Sequence, residues 1–169
     1  MATCVAFQIM FLGLIVPKLR VLLNESEAGL PPDIRFGYTA SELNVWYDAI
    51  GEEGCKSYKQ LAMLDIFPYM ESYTLVLGAL LVKVARRASV SEQVCLLAPL
   101  VMMLDVVETL IPAYGCFLYP EERLSTELIQ VSSLANQLKW VIFGFSLVLL
   151  VVLFAMSKMK PAHDANKKD

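Results

Sequence analysis

The chain has 169 residues and a mass of 18.9 kDa, with 57% hydrophobic against 18% charged residues, a mean hydropathy of +0.55 and a net charge of −3. Soluble domains run nearer ~45–50% apolar and ~25% charged. The balance excludes a disordered chain, a basic nucleic-acid binder and an ordinary soluble enzyme, and it fits a small integral membrane protein.

A helix needs roughly 20 mostly apolar residues to cross a bilayer core. The first candidate, residues 3–23, is apolar from Val5 to Val16, then interrupted by Pro17, Lys18 and Arg20. It reads as a retained helix with those two cations reaching outward. A cleaved signal peptide is the alternative, against which stands the missing basic n-region.

Residues 24–38 follow as a loop punctuated by Gly29, Pro31, Pro32 and Gly37, with a glycosylation sequon at Asn24-Glu25-Ser26. Thr39-Ala40-Ser41-Glu42 has the form of a capping box. A short helix is expected to run from there to Ile50 and stop at Gly51. Its apolar face, Leu43, Trp46, Tyr47 and Ile50, suits a helix in the membrane interface or packing on a neighbouring protein.

The second span is 61–84 and the third 94–119, joined by a short turn over 85–92. A second surface helix is predicted from Tyr119-Pro120-Glu121, with Leu124, Leu128 and Val131 as its apolar stripe. It can run through Ser132-Ser133 into the fourth span, 137–156. The fold class is therefore all-α: an integral membrane four-helix bundle, residues 1–160 as one domain, with short interfacial helices on the acidic side and a polar tail over 161–169.

Four spans put both termini and the 85–92 turn on one side, with Lys83, Arg86, Arg87, Lys158, Lys160, Lys167 and Lys168. The two longer connections on the other side are acidic. The positive-inside rule then places the termini in the cytoplasm or an organelle matrix.

Four acids lie within the spans: Asp65 and Glu71 in the second, Asp105 and Glu108 in the third. A charge at the centre of a spanning helix costs about 2.5–3.5 kcal/mol on insertion scales, so such groups face the bundle interior and find a partner or stay protonated. Asp105 and Glu108, three apart, share a helix face. At ~1.5 Å rise per residue, Glu71 and Glu108 come out at similar depth. Lys139, entering the fourth span from the same side, is the expected partner of Glu108 or Glu71. Pro68 and Pro112 should kink their helices beside these acids and free the carbonyls of Leu64 and Glu108. A structural ion-pair network and a ligand or proton site both remain open.

The cysteines are Cys4, Cys55, Cys95 and Cys116, with no CxxC, and the one histidine, His163, lies in the tail. No metal site and no cofactor are expected. A Cys55–Cys116 disulfide is left open.

Several stretches resemble a family of small four-helix membrane proteins of bacteria and algae. They are Gly37-Tyr38-Thr39 through Gly51-Glu52-Glu53-Gly54, Leu64-Asp65-Ile66-Phe67-Pro68, Leu104-Asp105-Val106-Val107-Glu108 and Leu138-Lys139-Trp140. The likeness spans about residues 36–152. Thr109 stands where the family pattern has Asn. The resemblance implies the fold and the polar positions, and no reaction. Sterol-isomerase-like, claudin and vitamin-K-reductase-like proteins fit less well, since the spans lack histidine and the chain lacks their cysteine patterns.

Two functional readings follow. Small size and the absence of a nucleophile–base pair favour a non-catalytic accessory or scaffolding subunit of a larger membrane complex, with an organellar, mitochondrial inner membrane as the expected place and the endoplasmic reticulum or plasma membrane as alternatives. The other reading is a lipid- or sterol-binding protein, or an enzyme, using the acidic cavity. Expected partners are membrane lipids and other membrane subunits, with no nucleic acid.

Overall fold

The computed structural model describes residues 6, 8–11, 13 and 28–159. The first expected span and the tail therefore lie outside the described residues, apart from a few positions of the former. The described residues are helical and contain no strand. Four helices pack together: α1 (Ala40–Leu64), α2 (Glu71–Ala88), α3 (Leu97–Leu118) and α4 (Thr126–Met159).

α1 starts at the expected capping box. Thr39 Oγ1 accepts from the Glu42 amide at 3.2 Å, and the Glu42 carboxylate accepts from the Thr39 amide at 2.7 Å. The same carboxylate accepts from the Thr39 hydroxyl at 2.8 Å, and the amide and hydroxyl together hold the Glu42 carboxyl below its ordinary range. Gly51 (φ +61°) breaks the helical path after Ile50, a left-handed conformation that glycine adopts without a Cβ clash. The chain does not leave the helix there for long. It resumes and runs to Leu64, joining the short helix expected to stop at Gly51 to the start of the second expected span.

Leu43, Trp46, Tyr47 and Ile50 face neither a membrane interface nor another protein. They are buried in this chain's own core with Cys55, Tyr58, Ala113, Cys116, Leu124 and Ile129. Gly115 of α3 makes this fit possible, because a Cβ there would collide with the Tyr47 hydroxyl. Cys55 and Cys116 pack in the same cluster as free thiols.

The expected second span is not one helix. Residues Asp65–Met70 form a wide π turn, and Phe67 inside it is extended (φ −136°, ψ +121°). Pro68 explains this: its ring pushes the preceding residue out of the helical region and it offers no backbone donor. α2 then begins at Glu71 and ends at Ala88, with left-handed Ser89 as its cap, after Arg86 and Arg87. A 3₁₀ turn, Glu92–Leu96, leads directly into α3. At this end the core is Leu77, Leu81, Val84, Ala85, Ala88, Ala98 and Leu153.

The surface helix expected at Tyr119-Pro120-Glu121 is absent. Those residues form a turn, and α4 starts at Thr126 behind Ser125, whose side chain accepts from the Leu128 amide at 3.3 Å. A serine oxygen satisfies a free helix-start donor, which proline at 120 cannot do. From there α4 is continuous through Ser132-Ser133 to Met159. The expected apolar stripe divides: Leu124 is buried in the core, whereas Leu128 and Val131 are exposed. The buried residues of α4 are Ile129, Ser132, Ser133, Ala135, Asn136, Lys139, Ser146 and Leu153.

Among the described residues, two stretches are long and apolar enough to cross a membrane, Glu92–Leu118 and Thr126–Met159. They contain the third and fourth expected spans.

Candidate functional site

The polar residues of α4 recur at 132, 136 and 139, one face of a helix at i, i+4 and i+7 spacing. That face lies against α3, which presents Asp105 and Glu108. Lys139 is 7% exposed and Glu108 is 0% exposed, so the pair meets away from water.

Lys139 Nζ donates to Glu108 Oε2 at 2.7 Å and to Asp105 Oδ1 at 2.9 Å. Its third donor goes to the backbone carbonyl of Asp33 at 3.2 Å. An ammonium has three protons, and each finds an acceptor. The Trp140 ring centroid lies 5.2 Å from the same nitrogen, within cation–π range.

The carboxylates are held from their other sides. Asn136 Nδ2 donates to Glu108 Oε1 at 3.1 Å and to the Pro32 carbonyl at 3.0 Å. The Tyr73 hydroxyl of α2 donates to Asp105 Oδ2 at 2.7 Å. Three helices and the loop before α1 thus converge on one ammonium. Charge-assisted bonds of this kind are the strong ones, and removing one partner strands the others.

Pro112 has a visible consequence one turn back. It cannot donate to the Glu108 carbonyl, and that oxygen instead accepts from Ser132 Oγ at 3.0 Å. Ser132 has one proton, so it receives its 2.6 Å bond from the Tyr38 hydroxyl. Burial pushes the Tyr38 hydroxyl well above its usual range, which keeps it protonated and able to donate. The Pro112 carbonyl in turn accepts from the Tyr47 hydroxyl at 2.9 Å. α3 keeps helical geometry through Pro112, because neighbouring hydroxyls take over its backbone acceptors.

Asp65 and Glu71 separate. Asp65 stands half-buried at the π turn beside Thr109 and makes no ion pair among the described residues. Glu71 is exposed at the first position of α2 and does not join the cluster. The depth estimate assumed one unbroken helix from 61 to 84. The π turn and the extended Phe67 change both rotation and rise, and Glu71 turns outward.

A half-open cavity of about 290 Å³ lies beside the ion pair. Asp33, Asp65, Asp105 and Lys139 line it, together with the rings of Tyr69, Tyr73, Trp140 and Phe143. Asn136, Ser132 and Tyr73 were not among the residues expected at the site. The first two carried a signal in their spacing from Lys139. Tyr73 carried none, because its place depends on how α2 restarts after Pro68.

Comparison with protein-family models, characterised protein sequences and solved structures finds no match to this chain.

Proposed function

We propose that this chain is a multi-pass membrane protein that holds a small amphiphilic ligand in the polar cavity beside Lys139. The observation that carries it is the cavity itself: about 290 Å³, lined by rings and by charged side chains. Binding sites are mostly apolar hollows with a few placed polar groups. The membrane setting is supported by α4, which buries Ser132, Asn136, Lys139 and Ser146 and exposes Val141, Val148 and Val151. The side of a helix that faces lipid is apolar, and polar groups turn inward. Lys83, Arg86, Arg87 and Lys158 gather at one end, which the positive-inside rule puts in the cytoplasm or an organelle matrix. The inner membrane of a mitochondrion remains the proposed location.

The second reading is a non-catalytic accessory subunit. Leu30, Phe36 and Val45, exposed apolar residues around the loop and α1, favour it as a contact surface. The motifs shared in outline with the small four-helix family agree with either.

Purification in mild detergent followed by native mass spectrometry tests the proposal. The expected result is a single chain carrying a small bound mass that Val101→Phe, which fills the cavity wall, abolishes. A stoichiometric complex with another membrane protein and no bound small molecule overturns it in favour of the subunit reading.

A further inference from the structure

The cavity is unbalanced in charge. The donors nearest its carboxylates are already committed. Lys139 directs three protons to Asp105, Glu108 and the Asp33 carbonyl. Tyr73 donates to Asp105. The Gln8 amide donates to Ser72 Oγ and to the Tyr69 carbonyl. What remains in excess is negative charge. Asp33, Asp65 and Asp105 stand on the wall and Glu108 lies behind them, and among the described residues these acids share one ammonium, that of Lys139. Lys139 pairs with Asp105 and Glu108 and not with Asp65.

The surroundings narrow what could balance that charge. No group of side chains among the described residues has the ligand set for a metal ion. Four rings, Tyr69, Tyr73, Trp140 and Phe143, line the space. Aromatic faces attract organic cations, more strongly when water is excluded. An anionic head would meet carboxylates, with the ammonium beside them already shared between Asp105 and Glu108. At ~30 Å³ per liquid water, the volume of about 290 Å³ equals roughly ten waters. That admits a headgroup and the first carbons of a tail, with the remainder outside the half-open mouth.

We infer that the cavity takes an alkylammonium group, the cationic head of an amphiphile, with Asp65 as its carboxylate partner and Trp140 and the tyrosines as its aromatic walls. This rests on the ligand-binding reading above. Lys139 does not repel such a group from the Asp65 side, because Asp105 and Glu108 outnumber its single charge. The ammonium can belong to a free amine or to the headgroup of a zwitterionic lipid.

The test uses the full chain in maltoside micelles, titrated with dodecylamine, dodecanol, phosphatidylethanolamine and phosphatidylglycerol. Thermal unfolding and native mass spectrometry are the readouts. Dodecylamine should bind once per chain and raise the unfolding temperature, while dodecanol and phosphatidylglycerol do not. Asp65→Asn should weaken amine binding by about tenfold to a hundredfold, the weight of a lost charged hydrogen bond. Trp140→Leu should weaken it by about tenfold or less. Should Asp65→Asn fail to fold, Trp140→Leu carries the same amine-against-alcohol comparison. Stabilisation by phosphatidylethanolamine as well as dodecylamine identifies a lipid headgroup as the source; stabilisation by dodecylamine alone identifies a free amine.

Equal binding of dodecanol and dodecylamine, indifferent to Asp65→Asn, overturns the ammonium inference and leaves a ligand cavity standing. No binding by any of the four, together with a Val101→Phe protein that copurifies with the same masses as the original, removes the ligand-binding reading as well.

Discussion

Helices α1 and α4 sort their side chains in opposite ways. α1 turns Leu43, Trp46, Tyr47, Ile50 and Tyr58 inward and leaves Glu42, Asp48, Glu52, Glu53 and Lys56 outside. α4 turns Ser132, Ser133, Asn136, Lys139 and Ser146 inward and leaves Leu134, Leu138, Val141, Val148 and Val151 outside. Both pack against α3, so they share a core. What differs is the medium each outer face suits. The α1 pattern is stable in water by burying apolar area. The α4 pattern is stable where the outside is itself apolar, and there the interior holds together through hydrogen bonds, ion pairs and close packing.

Breaking the polar interior of α4 should have the largest effect. Lys139→Met leaves Asp105 and Glu108 without their shared cation, and loss of one partner of a buried pair typically costs about 3–5 kcal/mol. Adding Glu108→Gln should restore part of that loss. Denaturant or thermal unfolding in detergent measures both, and a single variant as stable as the parent would show that the acids do not depend on Lys139.

A matched pair of outer substitutions sharpens the contrast. Val45 of α1 and Val148 of α4 are 64% and 62% exposed, and Val and Asp have similar helix propensity. Val148→Asp should cost about 2.5–3.5 kcal/mol of insertion free energy, as for an acid at the centre of a spanning helix. Val45→Asp should stay within about 0.5 kcal/mol, as for an ordinary surface change. A glycosylation-based insertion assay reads the first and unfolding reads the second. Equal effects at the two positions would erase the distinction between the helices.

The smallest effect belongs to the start of α1. Thr39→Ala removes the side-chain acceptor of the cap and should cost about 1 kcal/mol. The Thr39 amide and hydroxyl hold the Glu42 carboxyl below its ordinary range. The sign of the pH dependence follows: this contribution is present above the ordinary carboxylate pKa and fades as pH falls through the depressed value. Unfolding as a function of pH, compared between the parent and Glu42→Gln, checks it. Loss of stability on raising the pH instead would contradict the cap geometry.

The sequence by itself determined the features whose causes are local. The capping box at Thr39 and Glu42, the break at Gly51, the disturbance at Pro68 and the two long apolar helices each depend on residues within a turn or two of one another. So does the polar face of α4, since 132, 136 and 139 must share a side of any α-helix. That Lys139 should meet Glu108 or Glu71 followed from cost, because a spanning helix leaves a charge few other places to go; which of the two it meets did not. The tertiary structure decided the rest. The inward face of Leu43, Trp46, Tyr47 and Ile50 was legible as a stripe, but not what it would pack against. Glu71 and Glu108 matched in depth only along an ideal helix, and the extended Phe67 and the π turn rotate Glu71 away. The helix expected at Pro120 lost to Ser125, whose side chain could cap where proline could not. Tyr73, the Pro32 and Asp33 carbonyls and the cavity beside them come together only through contacts between segments far apart in the chain, and spacing within one segment carries no record of such contacts.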